Sequence, residues 1–577
     1  MSGMPIRRPG ARPLAVLVLA ALLSSCASIP ESSEPEAVKP MEQSNPAASV
    51  QPPSPGADAF GLVRSFVEAS GSPASDHGSA RMHLTGSADA RWQPPAEMLV
   101  VDDVDTIPAP RPPGAPENVQ VVSLQANKVG RLRQDQSFAP ESGEYHAQVR
   151  VERQGDGQWR IVDPPRGLVA SRASFAANYR ATPIYFLGHD GASVVPDTRY
   201  VVAQPSSTLP RRAIDLLMSG PSQSFRPSMR SAIPKGAYPK TNASEAPDGA
   251  LVVNLSELGS PSEQQRRLIA AQVVLSLQRV SPARVRLLEE GVPLLDQQEL
   301  RPTDVASYEK DNAARPDLPG LAVVDERVHV LDENASPIPG PAGSGAYDVV
   351  QAAQSEDRKR LAAATRTPTG VVLRVGEYGG SLAEVPVAGT GMSRPTWRGG
   401  SEVWTVVDHR DVVRTFRQDG AWVSRPVDAR EFSGGRPIGD LRISRDGTRA
   451  AGVVDGRIVV AAVAEEGGNV VLRNPTPLSG GPSNAEVNGV DWLSNQSLVV
   501  TTRSKSAPVL EVSVDGFQWT PYVSENLDEP LSSIAVGSGR RVVVADRNAL
   551  WEASGPRDVW RFLRVPIGSG SIPFFPG

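Results

Sequence analysis

The sequence predicts a multidomain protein: two small α+β domains followed by an all-β propeller of about five or six blades. Three observations carry that reading. The last 230 or so residues repeat a strand–turn–strand pattern at intervals near 45 residues. The middle of the chain mixes period-2 and helical apolar patterns over two stretches of domain size. Proline (54) and glycine (51) are abundant in the 577 residues, which favours turns and linkers over long helices.

The chain begins with an address. Arg7, Arg8 and Arg12 precede an apolar run, Leu14 to Leu23, then Ser24, Ser25 and Cys26, the single cysteine of the chain. A charged segment followed by a short apolar one has the form of a secretory signal. The run is about ten residues, and a spanning helix needs ~20. Leu23-Ser24-Ser25-Cys26 resembles the bacterial lipobox. That resemblance implies cleavage between Ser25 and Cys26, with S-diacylglycerol and an N-acyl chain on Cys26. An ordinary signal cut near Ala27-Ser28 would instead discard Cys26. The lipobox is the stronger reading, because the lone cysteine sits where that motif needs one. Each buried methylene of the lipid contributes ~0.8 kcal/mol, so several chains anchor firmly where one does not. The expected location is the cell membrane, lipid-anchored on the extracytoplasmic side. No later stretch reaches about 18 uninterrupted apolar residues. With one cysteine there is no intrachain disulfide to form.

Composition narrows the function classes. Apolar content of 40% and charged content of 21% suit globular domains. The formal net charge is −5, and removal of the three signal arginines takes it to −8. No basic block with interleaved aromatics occurs, which argues against nucleic acid as a partner.

Residues 26–56 read as a disordered, proline-rich tether, with Pro30, Pro35, Pro40, Pro46, Pro52, Pro53 and Pro55 among Ser, Glu and Gln. About 30 residues of such chain span roughly 30 Å as a coil and near 100 Å when stretched. Residues 57–173 form the expected first α+β domain. Asp58 to Ser70 has helical spacing, with Phe60, Val63, Phe66 and Val67 on one face. Val122, Leu124 and Ala126 alternate, as do Tyr145, Ala147, Val149 and Val151, and Gly155-Asp156-Gly157 turns into Trp159–Val162. Asp102, Asp103 and Asp105 are expected in a solvated proline-rich loop; a calcium site wants more oxygen ligands and a glycine turn.

Residues 174–300 form the second α+β domain. Ile184-Tyr185-Phe186-Leu187 is a strand, Leu209 to Met218 an amphipathic helix ended by Gly220-Pro221, and Leu251, Val253 and Leu255 alternate. Ser262 and Gln265 have capping-box spacing and open a helix to about Gln278 that buries Leu268, Ile269, Val273 and Leu277. These pieces, with Val195-Pro196, Arg199, Leu216–Pro221, Ser231–Pro234, Val253–Ser256 and Ala271–Val274, resemble the GerMN domain of bacterial envelope proteins. The resemblance implies a fold and no catalytic residue. Asn254 stands where that family commonly has Asp.

Residues 301–345 read as a linker with a strand pair, Ala322 to Leu331, able to complete the last blade and close the ring. In the propeller, residues 346–577, five apolar–turn–apolar copies are anchored at Leu361, Val403, Ala450, Leu498 and Val542, spaced 42, 47, 48 and 44 residues apart. An open sandwich with chance spacing is the competing architecture.

Chemistry is sparse. His77, His83, His146, His189, His329 and His409 are scattered without zinc spacing. No Gly-x-Ser-x-Gly elbow, P-loop or Gly-x-Gly-x-x-Gly occurs. The Asp-Gly pairs beginning at 156, 190, 248, 419, 446, 455 and 515 read as hairpin turns rather than catalytic carboxylates. The expectation is a binding protein, with no enzyme activity, cofactor or metal.

The order of parts (lipobox, tether, α+β module, GerMN-like domain, propeller) resembles the LpqB family of actinobacterial lipoproteins. That resemblance implies a partner: the extracytoplasmic domain of an MtrB-like sensor histidine kinase in a two-component system affecting cell-wall homeostasis and division. Of the residues, only Cys26 is carried over. A cell-envelope scaffold or glycan-binding lipoprotein, and a wall-active hydrolase with a carboxylate pair in a cleft, are the alternatives.

Overall fold

The computed structural model describes residues 50–111, 113–309, 319–481, 486–565 and 570–577. Ser25 and Cys26 lie outside the described residues.

The first domain lays helix Ala59–Ser70, with the short helices Gly78–Arg81 and Gly86–Arg91 beside it, against a six-stranded sheet. Helix Ala59–Ser70 starts where Asp58 accepts a hydrogen bond from the Gly61 amide at 2.7 Å, a side-chain cap for an otherwise unpaired N–H. Its buried face is Ala59, Leu62, Val63, Phe66 and Val67. Phe60, expected inside, is only partly buried, and Leu62 takes that position. Strands run Trp159–Asp163, Glu144–Arg153, Val119–Leu132, Met98–Pro108 and Leu168–Ser171 across the sheet. The pairing of Met98–Val101 with Leu168–Ser171 is parallel, the others on this path antiparallel. The acidic cluster is not in a loop. Asp102, Asp103 and Asp105 belong to strand Met98–Pro108, which bulges between Asp102 and Asp105, with Asp103 at φ 50°. A bulge adds a residue without ending the strand, so the polar run is carried on the exposed face while the ladder resumes at Asp105.

In the second domain, hairpin Tyr179–Leu187/Val194–Val202 stands apart from a sheet built on Leu251–Ser256 and its parallel neighbour Val285–Glu289. Helix Glu263–Leu277 packs against the hairpin and opens with the Ser262/Gln265 capping box. It buries every residue from Leu268 to Leu277, more than the single face its apolar spacing suggested. The extra burial is possible because its polar side chains replace a strand partner for Tyr185. Ser276 Oγ accepts from the Tyr185 amide at 2.9 Å, and Gln272 Nε2 donates to the Tyr185 carbonyl at 2.9 Å. Buried polar groups are tolerated when so paired.

Among the described residues the C-terminal part is a propeller of six sheets. Five are four-stranded meanders: blade 1 (348–389), blade 2 (396–426), blade 3 (438–477), blade 4 (487–521) and blade 5 (533–562). Blade 6 joins distant pieces. Strand Leu321–Val324 pairs antiparallel with Arg327–Val330 on one side and with the C-terminal strand Ile572–Phe574 on the other. The ring therefore closes by hydrogen bonds between the two ends of the propeller segment, which removes open edges. The open-sandwich alternative falls away, and the Ala322–Leu331 pair has the closing role its position suggested. The hairpin turns recur with one device. Asp446 accepts from Ser444 Oγ (2.6 Å) and the Thr448 amide (2.8 Å), and Asp515 accepts from Ser513 Oγ (2.5 Å) and the Phe517 amide (3.1 Å). Gly447 and Gly516 follow at φ 73° and 75°, a left-handed conformation that glycine adopts without strain.

Candidate functional site

The sequence-selected histidines do not converge. His83 is buried in the first domain, where Nδ1 donates to the Ser79 carbonyl at 2.8 Å and Nε2 lies 2.9 Å from Ser65 Oγ. His77 packs edge-on to Trp92. Burial pushes both imidazoles below their usual value of 6.5. His189 faces Glu465 of blade 3 at 3.3 Å, and burial and then Arg398 push it down against the pull of Glu465. His146 pairs with Glu144, and His329 donates to the Ala335 carbonyl. Among the described residues no group of three or more His, Cys, Asp or Glu could hold a metal ion. The aspartates at 102 and 103 are spoken for by Arg172 (3.3 Å) and Asn127 (3.0 Å).

Two arrangements that sequence reasoning missed dominate instead. The first lies on the propeller axis. Arg394, leading into blade 2, donates to Asp491 of blade 4 at 3.0 Å and to the carbonyls of Ile534 and Pro573 at 3.0 and 3.2 Å. Arg442, on the inner strand of blade 3, pairs with Asp440 at 3.0 Å and donates to the carbonyls of Arg394 and Leu441. Both arginines are buried, and four blades and the C-terminal strand are thereby cross-linked near the axis. Burial, and then the charge of Arg394, push the Arg442 guanidinium down to about 10, with Asp440 and Asp491 opposing. It stays cationic at neutral pH. One end of the axis opens into a cavity of about 290 Å³.

The second is a junction of all three domains. Phe517, in a turn of blade 4, has ring centroids 5.0 Å from Phe138 of the first domain, 5.2 Å from Phe175 and 5.6 Å from Tyr200 of the second. The interplanar angles of 71°, 70° and 73° are the edge-to-face geometry that aromatic quadrupoles favour. Tyr200 Oη donates to Asp515 at 2.8 Å, and burial, reinforced by that carboxylate, raises the phenol well above its usual value. Around the aromatic core are buried arginines. Arg199 is fully buried, paired with Asp197 at 2.8 Å, and donates to the Asp135 carbonyl of the first domain at 2.6 Å. Arg449 of blade 3 donates to the Pro196 carbonyl and lies 4.7 Å over the Phe225 ring. In sequence these arginines look like any solvated charge. The one available signal was Asp440 and Arg442, two residues apart and so on one face of a strand.

Chemically, the junction fixes the modules to one another and the axis presents a polar mouth. The fold and these two features define a class: a propeller protein with two α+β modules clamped to it. The chain itself belongs to the LpqB lipoprotein family. The family models described as "Lipoprotein LpqB, N-terminal domain", "Sporulation and spore germination" and "Lipoprotein LpqB beta-propeller domain" match residues 52–176, 183–295 and 325–576. Proteins named "Lipoprotein LpqB" from Rhodococcus opacus (strain B4) and Mycolicibacterium smegmatis are each 31% identical, over 98% of this chain and 98% and 100% of theirs. The one from Mycobacterium tuberculosis is 28% identical over 97% of this chain and 98% of its own length. The second domain is thus the sporulation and germination module that its motifs resembled. Among the described residues no helix is long and apolar enough to cross a membrane.

Proposed function

We propose that this chain is anchored through lipid on Cys26, on the extracytoplasmic side, and binds and modulates the extracytoplasmic domain of an MtrB-like sensor histidine kinase. Family membership over nearly the full length supports the anchor, because the relatives are named as lipoproteins. The observation that carries the binding role is the three-domain junction. Phe517, Tyr200 and Phe138 make one body of three modules, so a partner held on one module feels the position of the others. On this reading residues 26–56, expected from composition to be a tether, keep the body near the bilayer and so raise its effective concentration there. Modulation is then a difference in affinity for two states of the kinase. The reading assigns no catalysis to the chain.

The test is crosslinking in living cells with mass spectrometry, comparing wild type with Cys26→Ala. The expected result is a crosslinked sensor kinase whose yield drops when the anchor is lost. A chain that crosslinks only to wall fragments, or to no kinase in either form, overturns the proposal.

A further inference from the structure

We propose that the cleft between the second domain and blade 4 binds a zwitterionic dipeptide: a ligand with a free ammonium, a free carboxylate and one peptide bond between them. The cleft has a volume of about 480 Å³, inside the roughly 300–1,000 Å³ of small-molecule sites. Two opposite charges line it: Arg279, just past helix Glu263–Leu277, and Glu309, in the segment that follows this domain. Glu309 is held in place. Its carboxylate accepts from Tyr185 Oη at 2.6 Å, and that oxygen accepts in turn from Gln278 Nε2 at 3.2 Å. Its backbone is fixed by a parallel bridge to Val194. Burial, and then the Glu309 charge, raise the phenol above its usual value, so it stays a donor at neutral pH. The charge of Arg279 also acts on this hydroxyl, from the other sign. Arg279 is exposed and, among the described residues, has no hydrogen bond and no ion pair, with Glu309 or with any other carboxylate.

Opposite charges that share a cleft without pairing leave their attraction unused. A lone anion meets Arg279 but is repelled by Glu309, and a lone cation meets the reverse. A ligand carrying both charges answers both, its carboxylate on the guanidinium fork and its ammonium on Glu309. Two half-buried side-chain amides complete the match from facing walls, Gln278 of the second domain and Gln496 in the turn between the first two strands of blade 4. Gln278 Nε2 is taken by Tyr185, and Gln496 Oε1 by Thr198 Oγ1 at 3.4 Å. That leaves Gln278 Oε1 to accept and Gln496 Nε2 to donate, the pair of roles that the N–H and C=O of a peptide bond require. Pro196 and the Tyr185 ring add apolar lining for small side chains. The inference does not rest on the kinase reading: a dipeptide can occupy this cleft whether or not a kinase is crosslinked.

The test uses the full-length protein in non-ionic detergent and ligand-observed saturation-transfer NMR, with alanyl-alanine as probe. Two blocked probes serve as comparisons: N-acetyl-alanyl-alanine, which lacks the ammonium, and alanyl-alanine amide, which lacks the carboxylate. The expected result is saturable transfer to the alanyl methyls, with either blocked probe weaker by about tenfold or more, the size expected for one lost charge-assisted hydrogen bond. Each variant should lose one discrimination and keep the other. Arg279→Gln should bind alanyl-alanine and its amide alike yet still reject the N-acetyl form. Glu309→Gln, whose amide oxygen can still accept from Tyr185, should do the reverse. No saturable transfer, equal binding of the blocked probes, displacement by inorganic phosphate (a lone-cation site), or unchanged discrimination in both variants each overturn the proposal. Should a variant fail to fold, the blocked probes on wild type decide, because they need no substitution.

Discussion

Replacing Phe517 with alanine should uncouple the modules while leaving the blades intact. Phe517 is 6% exposed. Buried aromatic side chains cover roughly 150–250 Å², which at ~25 cal/mol per Å² is about 4–6 kcal/mol of transfer free energy as an upper bound. Observed Phe-to-Ala costs in cores are about 3–5 kcal/mol. The three edge-to-face contacts each add ~0.5–1.5 kcal/mol beyond area, and this helps place the expectation near 4 kcal/mol. Phe517 lies between strands Val509–Ser513 and Trp519–Pro521, outside the blade ladder. The loss therefore falls on docking between domains rather than on blade 4 itself. A multidomain chain is not two-state, so the assay is differential scanning calorimetry together with limited proteolysis. Wild type should show strongly coupled melting. In Phe517→Ala, the first domain should melt separately and earlier, and the 172–208 region should become cleavable before the propeller unfolds. Phe562→Ala, at a 55% exposed position on blade 5, serves as the control and should move the profile little. If the Phe517 variant keeps one coupled transition, or loses less than about 1 kcal/mol, the claim that this ring joins the domains is wrong.

Three other outcomes follow from the same geometry. Asp197→Ala should destabilise the second domain by about 3–5 kcal/mol, because it strands the fully buried Arg199 cation; a urea midpoint equal to wild type would show that the pair carries no weight. Phe574→Ala, at a 2% exposed position on the closing strand, should cost about 3–5 kcal/mol in the propeller transition, while the first domain's transition stays near wild type. His77 and His83 have folded-state pKa values below the 6.5 of the unfolded chain. Their contribution is therefore fully present above pH 6.5 and is lost as pH falls from there through the folded values. Urea unfolding of the first domain should weaken between pH 7.5 and 5.5, and His83→Leu should flatten that slope. A slope identical in variant and wild type would assign the acid sensitivity to other groups.

Much of the architecture could be read before any coordinates, and the reason is local. Alternating Val122, Leu124 and Ala126, the Ser262/Gln265 cap, and the Asp-Gly turns each depend on neighbours within a few residues. The repeat interval near 45 residues required only that one blade cannot bury both its faces alone. Where an expectation failed, a longer-range contact had overruled the local pattern. Asp102, Asp103 and Asp105 look like loop, yet strand Val119–Leu132 pairs across them and a bulge absorbs the mismatch. Helix Glu263–Leu277 has polar residues on its second face, yet Gln272 and Ser276 are buried because the backbone of Tyr185 needs their hydrogen bonds.

The candidate sites divide along the same line. The lipobox-like Cys26 is a matter of chain order, so it is visible in the sequence and independent of tertiary packing. The axis and the junction are not. Arg394 and Asp491 are 97 residues apart, and Tyr200 and Asp515 are 315 apart. Arginine in a sequence carries no mark of whether a carboxylate and two carbonyls will surround it, as they do Arg394. Only the closing of six blades on one axis, and the seating of two modules on their rim, brings those partners within hydrogen-bond distance. Local chemistry thus specified the elements and their order, whereas burial of charge, the aromatic junction and the axial cavity arose when distant surfaces excluded water from between them.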